Sequence, residues 1–136
     1  KLKAYMAAQV DFARAHGYVE TVLKRRRYLK DINSRNDIVR GAAERNAINA
    51  PIQGSAADII KLAMLTIYDK MQQQNFKAQM LLQVHDELIF EAPEDEAEKL
   101  VSVAREVMET ACLPLIELEV PLVADAGVAD NWMDAH

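Results

Sequence analysis

Two adjacent carboxylates, Asp86 and Glu87, separate two short apolar runs of the chain. Residues 79–84 and 88–92 are typical of β-strands, so His85, Asp86 and Glu87 are predicted to form the tip of a hairpin. Two acids at a sharp turn can face one common space, and carboxylate oxygens suit a hard divalent ion such as Mg²⁺. The alternative interpretation is a solvated acidic turn, because Asp is a common turn residue.

Three polar residues, Arg45, Asn49 and Gln53, are spaced four apart. They share one helix face if the chain stays roughly helical through Pro51. Their long side chains donate hydrogen bonds, and the DNA minor groove offers acceptors at N3 or O2 of every base pair. Such a row is suited to gripping a paired duplex without reading its sequence. The alternative is a polar helix face that makes surface hydrogen bonds.

A run of cations, residues 24–27, precedes Tyr28. It suits contact with phosphates, although a solvated basic turn is the alternative. The net charge of −5 conceals an uneven distribution, because basic residues dominate 1–61 and acidic residues dominate 62–136. The basic front half suggests a polyanionic partner, and the acidic back half is more simply a solvated face.

The remaining composition bounds the setting of the protein. The one cysteine, Cys112, cannot staple the fold and indicates a buried, reduced thiol in a cytoplasmic protein. No run approaches the roughly 20 apolar residues of a membrane helix, so no membrane association is predicted. The chain opens without Met and already within a helical pattern, which we interpret as a piece of a longer protein.

Periodicity and punctuation predict the elements that must position these residues. A helix over 1–16 ends at Gly17, and two short β-runs, 18–22 and 27–29, form a small hairpin. Further helices are predicted from the segment 34–37 to about Asn49, over about 55–74 and over 94–111, and a final strand over 116–126. The first two start at capping-box spacings, Ser34 to Asp37 and Ser55 to Asp58, and Pro51 and Gly54 separate them. The fold class is therefore α+β, with a small antiparallel sheet, made of the acidic hairpin and the C-terminal strand, packed against long helices.

Together these segments resemble one family. Residues 83–91, from Gln83 to Glu91, resemble motif C of the family A DNA polymerases, the DNA polymerase I group. Residues 49–61 are similar to the long helix that precedes motif C in that family. Residues 17–21 and 25–29 are similar to the segment after the fingers, and Asn131-Trp132 with Ala135-His136 resembles the end of such enzymes.

The resemblance implies template-directed DNA synthesis in replication and repair, with primer–template DNA and deoxynucleoside triphosphates as partners. It implies two Mg²⁺ ions that activate the primer 3′ hydroxyl and stabilise the leaving pyrophosphate. Asp86 matches a ligand of these metals, and Glu87 matches a nearby carboxylate of lesser importance. The implied DNA-binding residues are His85 at the primer end, Arg45, Asn49 and Gln53 in the minor groove, and Arg25 and Arg26 near the primer backbone.

The resemblance also implies what this stretch lacks. About 1–61 would connect fingers to palm, and about 55–136 would be palm. We find no motif A, which supplies the other metal-binding aspartate, and no nucleotide-binding fingers helix. The chain alone is therefore expected not to polymerise, and the apolar helix over 55–74 is expected to expose surface through which the fragment self-associates. Where the family usually carries Gly before Arg25, this chain has Lys24.

Two other classes of function remain open at this point. A non-catalytic nucleic-acid-binding module would use the basic front half, with a duplex affinity indifferent to Asp86 and to metal. A metal-dependent nuclease would use Asp86 and Glu87 to cleave a duplex rather than extend a primer. The nuclease ranks last, because the chain has no further cluster of acids at ligand spacing.

Overall fold

The computed structural model describes residues 1–113 and 115–135, and within them the fold is α+β, as predicted. Two antiparallel sheets of two strands each, β1–β2 and β3–β4, accompany three α-helices and a short 3₁₀ helix. The elements in chain order are α1 (Leu2–His16), β1 (Tyr18–Glu20), β2 (Arg26–Tyr28), α2 (Asp37–Gln73), β3 (Gln79–Val84), β4 (Glu87–Glu91), α3 (Glu94–Thr110) and the 3₁₀ helix (Trp132–Ala135). The chain divides into two compact units, Lys1–Asp58 and Ile59–His136.

In the first unit, α1 ends where the sequence predicts. Gly17 adopts a left-handed conformation with φ of 77°, and its N–H donates to the carbonyl of Ala13 at 2.7 Å. The chain then turns directly into the β1–β2 hairpin, and Leu29 N–H donates back to the carbonyl of Gly17 at 2.8 Å. The hairpin and two helices enclose a small core, which comprises Ala13, Val19, Leu29, Ile32, Ala43, Ala47 and Ala50.

The start of α2 corrects the predicted cap. Asn36, not Ser34, caps the helix, because its Oδ1 accepts from the backbone N–H groups of Ile38 at 3.0 Å and Val39 at 3.3 Å. Ser34 Oγ instead accepts from the N–H of Asn36 at 3.2 Å. The side chain nearest the first turn therefore satisfies the free helical donors.

The predicted break between two helices is wrong. One helix of 37 residues runs from Asp37 to Gln73, with Pro51 inside it and Gly54 passing without interruption. Proline within a helix removes one hydrogen bond and crowds the preceding turn, at a cost of about 3 kcal/mol. Just past Pro51, the residues 54–58 of this helix make hydrogen bonds to Val22, Arg25 and Thr21.

The second unit packs α3 and the β3–β4 hairpin against the later part of α2. Its core comprises Ala63, Ile67, Met71, Ala78, Leu100, Ala104 and Val107. Glu96, in the first turn of α3, accepts from the N–H groups of Lys77 at 2.9 Å and Ala78 at 3.2 Å, which anchors the chain entering β3. Cys112 is buried, as predicted, and burial raises the pKa of its thiol.

The predicted final strand is also wrong. Residues 116–126, all of which the structure describes, form no strand. The backbone of Ala124 instead bonds to side chains of α3: its carbonyl accepts from Arg105 Nε at 3.1 Å, and its N–H donates to Glu109 at 3.2 Å. Alternating side chains favour an extended chain, but a strand also needs a neighbouring edge.

The later part of α2 exposes apolar side chains, as expected. Leu65 is 65% exposed and Tyr68 is 55% exposed, whereas Ile67 between them is fully buried. Self-association through this surface stays a prediction. Among the residues that the structure describes, no helix is both long enough and apolar enough to cross a membrane.

Candidate metal and nucleic-acid site

The acidic residues lie at a hairpin tip, with one correction to the predicted boundaries. Val84 pairs with Glu87, so the turn between β3 and β4 contains two residues, His85 and Asp86, and Glu87 is the first residue of β4. Gln83 Nε2 donates to the carbonyl of His85 at 2.6 Å and closes the turn. Two-residue turns hold hairpins in a fixed register, so the position of Asp86 along the ladder is well defined.

The tip presents its groups unequally. His85 and Asp86 are exposed, whereas Glu87 is half-buried. His85 has φ of 54°, a conformation that His tolerates better than most side chains. The strands β3 and β4 that carry the tip are anchored, because Met80, Leu88 and Phe90 pack on the core of the second unit. Asp86 therefore projects an accessible carboxylate from a supported tip.

The polar row lies on the first-unit part of α2. Because α2 continues through Pro51, Arg45, Asn49 and Gln53 recur at intervals of four along one helix face, and all three are exposed. The opposite face carries Ala43, Ala47 and Ala50 into the core. Arg45 forms no ion pair within the part of the chain that the structure describes, so its guanidinium is available to a ligand.

The basic turn is more internally engaged than the sequence suggests. Arg26 donates from Nε to Glu20 at 2.9 Å, and its guanidinium lies 4.4 Å from the centre of the Tyr18 ring. The hydrogen bond to the Glu20 carboxylate raises the pKa of Arg26. Arg25 donates from Nε to Asp58 at 2.8 Å and from Nη2 to the carbonyl of Gly54 at 3.1 Å. The side chains of Arg25 and Arg26 nevertheless remain 55% and 50% exposed.

Arg25 and Arg26 lie close to Gln53. A shallow cavity of about 70 Å³ is lined by the hairpin residues 19–21 and 25–27 and by the helix residues 50, 51, 53 and 54. The structure thus brings the basic turn and the end of the polar row together within the first unit. His85, Asp86 and Glu87 belong to the second unit.

Sequence reasoning missed Thr21 and Asp58. The spacing from Ser55 to Asp58 suggested a helix start, but Asp58 is a buried carboxylate whose Oδ2 accepts from Thr21 Oγ1 at 2.5 Å. The available signal was the charge itself: Asp58 follows Ala56 and Ala57 and precedes Ile59 and Ile60 in an apolar run. A carboxylate in such a run needs a partner.

The metal site stays a prediction, which the donor chemistry of Asp86 suits. Asp86 supplies the hard oxygens that Mg²⁺ prefers. Within residues 1–113 and 115–135, no group of three or more His, Cys, Asp or Glu residues is placed to hold a metal ion. Because Mg²⁺ often takes only one or two protein carboxylates and completes its shell with water and phosphates, Asp86 fits a partial site.

Comparisons with known proteins identify the family. Residues 1–134 match the model of DNA polymerase family A. The chain is 51% identical to DNA polymerase I of Bacillus subtilis over 134 residues, and 46% identical to the thermostable DNA polymerase I of Thermus thermophilus over 135 residues. These matches cover 98% and 99% of the chain but 15% and 16% of the two relatives. The chain belongs to DNA polymerase family A.

A solved structure agrees in fold. The polymerase domain of Pol1 from M. smegmatis, in complex with DNA primer–template and dNTP, superposes with a TM-score of 0.92 at 47% sequence identity. The match covers 98% of this chain and 23% of that one. The α+β architecture is therefore that of a segment of a polymerase domain.

Lys24 provides a stability prediction. Its φ of 65° strains a side chain that carries a Cβ, at a cost of about 1–3 kcal/mol, whereas Gly loses about 0.5–1 kcal/mol of chain entropy. Lys24→Gly should therefore raise the free energy of unfolding by about 1 kcal/mol, near the middle of the difference between these two costs, in a thermal or denaturant melt. Lys24→Ala is the matched control, because it removes the same exposed ion pair with Glu20 but keeps the Cβ. Equal stabilities of the two variants would contradict the strain.

Proposed function

We propose that this chain serves template-directed DNA synthesis as a segment of a larger DNA polymerase I. It would act on primer–template DNA and deoxynucleoside triphosphates, in cytoplasmic replication and repair. The single observation that carries the proposal is the exposed Asp86 at the two-residue tip of the motif C hairpin, in a chain of this family. About 1–61 would connect fingers to palm, and about 55–136 would be palm.

Asp86 is the residue proposed to bind Mg²⁺ together with phosphate oxygens of the substrate. Bound Mg²⁺ would neutralise charge on the phosphoryl group and favour the ionised primer 3′ hydroxyl. A second carboxylate from elsewhere in the enzyme would complete the two-metal site, with Glu87 nearby in a lesser role. Phosphoryl transfer depends mainly on such charge neutralisation and in-line positioning.

The DNA contacts proposed for the other residues follow from exposure and donor chemistry. Arg45, Asn49 and Gln53 would donate to minor-groove acceptors, which every correctly paired step offers in the same places. The row would therefore test pair geometry without preferring a sequence. His85, exposed beside Asp86, would contact the primer end, and Arg25 and Arg26 would lie near the primer backbone.

Asp86→Asn tests this proposal in the full-length polymerase that carries the segment. The amide keeps the size of the side chain but removes the charge that holds the metal. Changing a residue that only supports a metal ligand typically lowers metal affinity or activity by about 10–100-fold. Losing the ligand itself should therefore slow Mg²⁺-dependent primer extension by more than about 100-fold. Primer–template affinity, measured separately, should persist.

The matched control is Asp69→Asn, which removes an exposed carboxylate from α2 and should leave extension unchanged. Normal extension by Asp86→Asn would contradict the metal-binding role and favour a non-catalytic binding module. Duplex cleavage in place of extension would favour the nuclease.

The isolated chain should be inactive. One metal-binding carboxylate cannot organise two metal ions, and the second carboxylate is proposed to come from a part of the enzyme outside this chain. The purified chain should therefore give no Mg²⁺-dependent nucleotide incorporation in a primer-extension assay, whereas the full-length polymerase should extend the same primer. Incorporation by the chain that Asp86→Asn abolishes would contradict this expectation, and incorporation that survives Asp86→Asn would point to a contaminant.

A further inference from the structure

Asp58 uses both of its carboxylate oxygens within the first unit. Oδ2 accepts from Thr21 Oγ1 at 2.5 Å, and Oδ1 accepts from Arg25 Nε at 2.8 Å, while the residue is only 8% exposed. A buried charge is costly unless it is paired and hydrogen-bonded, and here both conditions are met. The pair therefore fixes the turn of residues 21–25 against α2.

Three more contacts secure the same attachment. Arg25 Nη2 donates to the carbonyl of Gly54 at 3.1 Å, and the N–H of Val22 donates to Ser55 Oγ at 2.9 Å. A Cβ added to Gly54 would lie 2.6 Å from Thr21 Cγ2, which is closer than real Cβ atoms approach. Thr21 can therefore pack this closely against α2 only because residue 54 is glycine.

These contacts lie at the weakest part of α2. Pro51 has no N–H, so the carbonyl of Ala47 lacks its helical partner, and proline is a frequent cause of helix kinks. Ser55 Oγ donates to the carbonyl of Pro51 at 2.5 Å. The same Ser55 Oγ accepts from the N–H of Val22. The weak step falls between Asn49 and Gln53, so a kink there would move Gln53 out of line.

We propose that Asp58, acting through Thr21 and Arg25, is a positioning residue that keeps α2 continuous through Pro51 and so holds Gln53 on the same helix face as Arg45 and Asn49. This inference rests on the proposed function, in which the aligned row of Arg45, Asn49 and Gln53 tests the geometry of the base pair at the primer end. The inference also gives Arg25 a different main role. Its Nε and Nη2 donate to Asp58 and to the carbonyl of Gly54, so Arg25 acts mainly by holding the turn of residues 21–25.

The test compares extension from matched and mismatched primer ends by the full-length polymerase. Thr21→Val keeps the shape of the side chain but removes the hydroxyl that donates a hydrogen bond to Asp58. It should lower the matched-to-mismatched rate ratio by about tenfold, the equivalent of ~1.4 kcal/mol. Gln53→Ala should do the same, and the double variant should be no worse than Gln53→Ala alone. Thr21→Ser restores the hydroxyl and should keep the wild-type ratio.

The ratio separates positioning from a general loss of folded enzyme, because fewer active molecules slow both primer ends equally. Asp58→Asn provides a second perturbation should Thr21→Val fold poorly, and it should lower the same ratio. A wild-type ratio in Thr21→Val or in Asp58→Asn, alongside a lowered ratio in Gln53→Ala, would overturn the positioning role and leave the proposed function standing. A wild-type ratio in Gln53→Ala would overturn both the alignment inference and the minor-groove contact.

A salt titration of primer–template binding tests Arg25 independently. Removing a phosphate contact lowers the slope of log affinity against log salt by about one. Arg25→Met should leave that slope within error of the wild type, because the guanidinium holds Asp58 rather than a phosphate. A slope lowered by about one would assign Arg25 to the DNA backbone and overturn its positioning role.

Discussion

The buried carboxylate of Asp58 is the constraint on which the first unit depends. It sits in an apolar stretch of α2, where a charge is tolerated only with partners, and Thr21 and Arg25 are those partners. The hydrogen bonds from Thr21 and Arg25 to Asp58 fix the position of the β1–β2 hairpin against α2. The exposed cations of the turn and the exposed Gln53 then come to lie beside the same shallow cavity.

In the second unit, packing rather than a buried charge holds the hairpin in place. A two-stranded hairpin alone is marginally stable, but β3 and β4 lay Met80, Leu88 and Phe90 against the core formed with α2 and α3. The ladder shifts register between Met80 and Leu82, an irregularity that separates the base of the hairpin from its tip. Beyond it, regular pairs lead to the two-residue turn, so Asp86 is exposed without being loosely held.

Local signals predicted most of the elements. Gly17 ended α1, the apolar runs around residues 79–92 gave the acidic hairpin, and the apolar period of 94–111 gave α3 within one residue of its observed end. Fold class and family followed because several segments pointed the same way. Two predictions failed: Pro51 predicted a break and 116–126 a strand. In both places the structure shows contacts between residues distant in sequence, which local patterns do not reveal. Similarly, the spacing of Ser55 and Asp58 suited a capping box, and only the fold reveals the partners of Asp58.

Amide hydrogen exchange along α2 of the folded protein tests most directly whether the helix is continuous where the sequence favours a break. If α2 is continuous, the amides of Gln53, Gly54 and Ser55 should exchange as slowly as those of Ala47 and Ile48, as expected for the interior of one helix. Exchange at the fast rates of a frayed helix end at residues 53–55, with protection resuming only further along, would show that α2 opens at Pro51. The aligned polar row would then be contradicted.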